Sequence, residues 1–169
     1  MIEHRLIERM VRILERKAAS IETGGRPQAR PFAAALDFFR SYADRCHHGK
    51  EEDIFFRALR GKPMSAEHAR TVEDLIAEHV KGRGLVDTLA ELHERRMRNG
   101  DSVLPEIAAA ARMLTGFYRA HIAKEDKCFF APTQKYFTRE EQARMLDRFR
   151  DFDALLIHER YMQTVAELE

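Results

Sequence analysis

Two glutamates follow histidines at a spacing that can do coordination chemistry. His47 precedes Glu51 by four residues, and His121 precedes Glu125 by four. On a helix this spacing places an imidazole and a carboxylate one turn apart on the same face. The two pairs sit in matching ten-residue frames at an offset of 74 residues. His47-His48-Gly49-Lys50-Glu51-Glu52-Asp53-Ile54-Phe55-Phe56 falls on His121-Ile122-Ala123-Lys124-Glu125-Asp126-Lys127-Cys128-Phe129-Phe130. The first frame also offers His48 with Glu52, but only His47 with Glu51 superposes on the second copy.

A further echo doubles the donor set. Ile2-Glu3-His4 resembles Ala77-Glu78-His79, and each lies a similar distance before its frame: 43 residues from His4 to His47, 42 from His79 to His121. A helix of some 20 residues spans roughly 30 Å, so two antiparallel helices can bring each pair of histidines to one level. Neighbouring apolar residues (Ile7 and Val11, Val72 and Leu75, Leu114 and Phe117) point this face inward. Burying four imidazoles and two carboxylates without partners would cost several kcal/mol, and a metal removes that cost. Four nitrogens and two carboxylates exceed one tetrahedral zinc site. They suit two ions, each with two terminal histidines and both carboxylates bridging. Imidazole with carboxylate favours iron, with manganese or zinc as alternatives. The expected metal ligands are therefore His4, His47, Glu51, His79, His121 and Glu125. The expected cofactor is a pair of non-haem iron ions with an oxo or hydroxo bridge and room for a small exogenous ligand.

Other residues take plainer roles. His48 is expected beside the site or at an interface, and His68 and His93 at the surface. His158 lies on a C-terminal helix that can cover one end of the molecule. Asp44 and Tyr118, three residues before His47 and His121, can hydrogen-bond a ligand, although Tyr118 suits packing equally well. Cys128, three residues after Glu125, is expected near the ligand face as a buried thiol acting as a small hydrophobe. Phe55, Phe56, Phe129 and Phe130 are expected core residues that keep the site dry. Gly82-Arg83-Gly84 follows no strand and is too short for a phosphate loop.

The elements that must position these groups are helices. Apolar positions recur at helical spacing over residues 2–21, and Gly24-Gly25-Arg26-Pro27 ends that run. Helices are expected over 31–59, 65–98 and 102–130, with Pro31 in a first turn and Ser65 as a cap. Thr138 with Glu141 forms a capping box for a fifth helix running to residue 169. Four long helices with short connections predict an all-α, antiparallel up-down-up-down four-helix bundle with an additional C-terminal helix. Residues 1–132 would form the metal-binding bundle and 133–169 the appended helix, one domain overall.

Bulk properties exclude several classes. With 29 basic and 28 acidic residues, the net charge is +1, which gives no electrostatic case for nucleic acid or an anionic membrane. No apolar run approaches the roughly 18 residues of a membrane span. The N-terminus enters a helical pattern without a signal-peptide apolar region, and two cysteines make no disulfide framework. A cytoplasmic location is the expectation.

These motifs resemble those of the hemerythrin-like, or HHE cation-binding, family. The likeness covers about residues 1–132 and rests on Glu3-His4, the run Cys46-His47-His48-Gly49-Lys50-Glu51-Glu52, Glu78-His79, and His121-Ile122-Ala123-Lys124-Glu125-Asp126. It implies the same six ligands, a non-haem di-iron centre and an antiparallel four-helix bundle. Members carry or sense dioxygen, handle nitric oxide or peroxide, or serve iron homeostasis. Oxygen-carrying hemerythrins place a second histidine four residues after the third-helix one, where this chain has Arg83. They also carry an aspartate five residues after the last histidine; Asp126 stands there, but Glu125 fits the internal repeat. The four-histidine, two-glutamate set looks more like bacterial iron-repair and nitric-oxide-responsive members, which carry an additional Cys-containing domain. Neither dedicated oxygen transport nor iron–sulfur repair is expected.

The expected function is a di-iron protein that binds or senses dioxygen, nitric oxide or peroxide, or serves iron homeostasis, more a binding protein than a dedicated enzyme. A di-iron oxidase or catalase-like enzyme is one alternative. Against it, no histidine has a glutamate three residues before it, as the ferritin-like class requires. A metal-dependent regulatory module acting through the fifth helix is another, and a zinc-stabilised bundle a third. A homodimer through the fifth helix is compatible with the sequence.

Overall fold

The computed structural model describes residues 2–153 and 157–169, and no strand occurs among them. Helix α1 spans Ile2–Glu22. It buries His4, Leu6, Ile7, Met10, Val11, Ile13, Leu14, Ala18 and Ile21, a single face at helical spacing. Gly24, at φ 86°, adopts the left-handed conformation that ends the helix cheaply only for glycine.

Helix α2 covers residues 29–60 and is not uniform. It begins in α geometry over Ala29–Phe38, widens to π geometry over Phe39–His48 and again over Glu51–Phe56, and returns to α over Arg57–Arg60. Helix α3 spans Ala66–Asn99, with the Ser65 hydroxyl accepting the His68 N–H at 3.2 Å. Helix α4, residues 104–133, repeats the irregularity of α2: α geometry over Leu104–Lys124, then π over Glu125–Phe129. Such widened turns cluster at functional sites. Here they lie at the two His-x-x-x-Glu frames.

The capping box forms as expected. Glu141 N–H donates to Thr138 Oγ1 at 3.2 Å, and Thr138 N–H to Glu141 Oε2 at 3.0 Å. It opens α5, Arg139–Asp153. Helix α6 spans Ile157–Leu168. The expected single fifth helix is thus described as two segments, and its continuity falls on residues 154–156, outside the described residues.

Helix α1 packs on α4, α4 on α3, and α3 on α2, while α6 rests on α1 and α2. The apolar interior is divided in two. A larger cluster runs from Leu6 through Phe38, Leu89 and Leu114 to Val165. A smaller one joins Ile54, Phe56, Leu59, Leu75 and Phe129 to Phe137 and Met145. Along α2, α3 and α4 the expected donors fall between these clusters, as a polar layer with hydrocarbon above and below. No helix of the described residues is long and apolar enough to cross a membrane.

Candidate metal centre

The structure brings all six expected donors together and buries them. His4, His79 and Glu125 are fully buried, and His47, His121 and Glu51 are at most 3% exposed. Their donor atoms form two groups that share both carboxylates: His4, His47, Glu51 and Glu125, and His79, His121, Glu51 and Glu125, each within 4.8 Å. The orientation is specific. Glu51 turns Oε1 to His47 Nε2 at 3.4 Å and Oε2 to His79 Nε2 at 3.3 Å. Glu125 turns Oε2 to His4 Nε2 at 3.2 Å and Oε1 to His121 Nε2 at 3.3 Å. Each carboxylate therefore presents one oxygen to each pair of histidines.

Every imidazole is held from behind through Nδ1. His47 donates to Glu3 at 2.9 Å and His121 to Glu78 at 2.9 Å. His4 donates to Asp126 at 2.8 Å and His79 to Glu52 at 2.7 Å. The pattern obeys the internal repeat: Glu3 and Glu78 correspond, as do Glu52 and Asp126. The lysines of the two frames correspond as well, because Lys50 donates to Glu3 and Lys124 to Glu78. Arg83 bonds Glu52 and Asp44, each at 2.7 Å, and Arg5 bonds Asp126. Such partners fix ring orientation and leave Nε2 directed inward.

The centre calls for positive charge. Both oxygens of Glu51 and Glu125, and Nε2 of His79 and His121, have no hydrogen-bond partner among the described residues. The facing imidazole–carboxylate atoms stand within ion-pair range but outside hydrogen-bond geometry. Buried polar groups are normally satisfied, so this concentration points to a ligand. Burial opposes charge on His79, yet Glu125 and Glu51 outweigh it and raise its pKa to about 10. His47 is raised against burial by Glu51 and Glu3. Burial likewise opposes ionisation of Glu125, but His4 and His79 hold it well below the usual carboxylate range. Glu3 falls from 4.5 to about 2, because His47 and Lys50 outweigh burial. The carboxylates thus favour the protonated forms of His47 and His79, and a metal bound there would displace those protons. His4 Nε2 and His47 Nε2 stand 3.1 Å apart. Two nitrogens about 2.1 Å from one ion and at right angles would be about 3 Å apart, so the donor set fits such an ion.

The remaining expected residues divide. Phe56 stacks on His79 at 5.8 Å, and Phe130 lies 5.9 Å from His4, so the aromatic residues do wall the site. Gly82 permits a close approach: a Cβ there would meet the Phe117 ring at 2.9 Å, and that ring stacks on His121 at 5.5 Å. His158 does not touch the six donors; its Nε2 lies 3.3 Å from Glu3 and its Nδ1 3.0 Å from Tyr42. Cys128 corrects the expectation of a buried thiol, because it is exposed. The wide turn over Glu125–Phe129 carries a residue three positions on away from the donor face. Cys46 is the buried cysteine, and burial pushes its thiol up to about 12. His93 is half-buried against Phe32 rather than at the surface, and His68 bonds Tyr136 at 2.8 Å. The supporting acids and lysines stand in the repeated motifs, but the sequence assigned them no role. The signal for them was the lysine and the acidic residue after the glutamate, which recur in both frames.

A layer of buried histidine and glutamate inside an all-helical chain defines a cation-binding helical domain. The chain belongs to the hemerythrin family, matching the Hemerythrin HHE cation binding domain over residues 1–133. No curated protein and no solved structure matches it significantly. Domains of this family bind metal cations, and the histidine–glutamate clusters here are compatible with that role.

Proposed function

We propose that this chain is a non-haem di-iron protein that binds or senses a small ligand, namely dioxygen, nitric oxide or peroxide. One observation carries the reading: Glu51 and Glu125 each direct one oxygen to each histidine pair, as two bridging carboxylates would. His4 and His47 would hold one ion, and His79 and His121 the other. Donor chemistry favours iron over soft-metal alternatives. When bound, iron supplies a redox couple and exchangeable coordination positions. Glu3, Glu52, Glu78 and Asp126 hold the imidazoles in the ligating tautomer. Phe56 and Phe130 exclude water. Four protein donors per ion leave coordination positions for a small molecule. In the same reading the long helices close as an antiparallel up-down bundle, with residues 133–169 packed on it as one unit.

Anaerobic loading followed by metal analysis tests this directly. The expected result is two irons per chain, with an optical spectrum that changes on adding oxygen or nitric oxide. Glu125→Gln, which cannot bridge as a carboxylate, should lower the count to one or fewer. A wild-type chain that takes up no iron, or a Glu125→Gln variant that keeps two, contradicts the proposal.

A second reading has its own observation. Lys50 bonds Asp153 at 2.6 Å while also holding Glu3, and His158, hydrogen-bonded to Tyr42, brings its Nε2 to 3.3 Å from Glu3. The C-terminal helices thereby contact the support of His47, so metal occupancy would regulate their docking. Limited proteolysis of residues 138–169 should slow on metal loading. Identical cleavage with and without metal removes this reading.

A further inference from the structure

His48 is not one of the six donors, yet it is 1% exposed and both its ring nitrogens lack a hydrogen-bond partner among the described residues. Its nearest polar neighbour, Asp44 Oδ1, lies 3.4 Å from Nδ1, and Asp44 is already bonded to Arg83. One ring nitrogen from each of His48, His79 and His121 lies within 4.8 Å of the other two. The His48 ring nonetheless lies flat on His79, with centroids 3.9 Å apart and planes inclined by 9°. An imidazole lone pair lies in its ring plane. Two rings stacked in this way cannot both aim at one ion. His48 is therefore placed close to that position without being able to share it with His79.

A cavity of about 230 Å³ opens beside His48, lined also by Asp44, Arg83 and Tyr118. At its rim Arg40 is neutralised by Asp87 at 2.9 Å, and Arg83 by Asp44 and Glu52. Arg45, exposed at the same rim, has no ion pair among the described residues. The uncompensated charge of this opening is thus positive, which draws small anions. The opposite flank differs: the cavity of about 770 Å³ reaching His47 and Glu51 is mostly hydrocarbon, with Phe55, Phe130 and Phe149, and each of its cations, Arg5, Arg9, Lys50 and Arg150, is paired with a carboxylate. Hydrocarbon walls do not compensate the desolvation of an anion.

We infer that His48 hydrogen-bonds a small monovalent anion bound at the His79–His121 position, and that the polar cavity beside Asp44, Arg83 and Tyr118 admits it. The inference deepens the di-iron reading and rests on it. It assigns the open coordination position to one of the two ions and gives that position a polar partner from the protein.

Azide titration of the iron-loaded full chain, followed optically, is the test. Hydrogen bonds to charged groups are strong enough that His48→Ala should weaken azide about tenfold or more. The variant should still hold two irons per chain, and His48→Gln, whose amide can hydrogen-bond, should recover part of the affinity. Arg45→Glu, at an exposed position, should slow azide binding several-fold at low salt, with the difference shrinking as salt rises. A His48→Ala chain with two irons and azide affinity within twofold of wild type overturns the inference. So does one that retains a single iron, because His48 would then be a ligand. Should His48→Ala fail to fold, an Arg45→Glu chain with unchanged azide kinetics overturns it by itself. A wild-type chain that takes up no iron defeats the di-iron reading instead, a result distinct from two irons whose azide affinity ignores His48.

Discussion

Replacing Glu3 by glutamine removes a charge from behind one imidazole while leaving a hydrogen-bond acceptor in place. Glu3 accepts from His47 Nδ1 at 2.9 Å and from Lys50, and these contacts outweigh burial to take its carboxyl from 4.5 to about 2. That drop corresponds to roughly 3 kcal/mol of preference for the charged form. The Glu3 side chain is only 14% exposed, so solvent screens little of it. The carboxylate makes His47 a more basic ligand, and glutamine does not. Mutating such a partner typically lowers metal affinity about 10- to 100-fold. Glu78→Gln is the matched perturbation, since Glu78 holds His121 at 2.9 Å and accepts from Lys124. Competition against a chelating indicator should show each variant weakening one of the two ions, and the double variant weakening both. Affinities within twofold of wild type for Glu3→Gln and Glu78→Gln would refute the argument. So would both variants weakening the same ion.

Three further outcomes follow from the same geometry. Metal removal by a chelator should lower stability by roughly 5 kcal/mol when each of two ions stands at a hundredfold excess over its Kd, or about 10–20 °C in Tm; an unchanged Tm by calorimetry would deny that the buried donors hold cations. His93 is kept neutral by burial, aided by Arg96, so its folded pKa lies below 6.5. The unfolded chain then binds the extra proton first, and stability falls as the pH drops below about 6.5; His93→Gln should flatten that part of the Tm-against-pH curve, and a curve unchanged by the substitution would contradict it. Gly82→Val should press on the Phe117 ring, 2.9 Å from a Cβ at this position. The expected cost is about 1–3 kcal/mol, read as a lower Tm, and a Tm that rises would show that the ring yields freely.

How much of this was legible in the sequence depended on what repeats. The six donors could be found because His47 and His121 sit in superposable frames, each preceded by a histidine at nearly the same distance. The helices were legible from apolar spacing, and Thr138 with Glu141 marked one start. The π-geometry turns after Phe38 and around Glu125 left no local signal, since they answer to packing around the centre. They are why Cys128 faces outward when α-helical spacing places it near the donors. Glu3, Glu52, Glu78 and Asp126 were hidden for a different reason. A charged residue on a helix reads as a solvated face, and only the fold shows an imidazole behind it. His48 was ambiguous because its burial depends on which of two adjacent histidines turns inward, and both do.

The central claim is that Glu51 and Glu125 join two metal ions, each completed by two histidines. Anomalous diffraction from crystals of the iron-loaded chain, collected on both sides of the iron edge, tests it most directly. The account expects two peaks about 3.5–4 Å apart, one beside His4 and His47 and the other beside His79 and His121. A single peak, or iron bound away from these six residues, would contradict it.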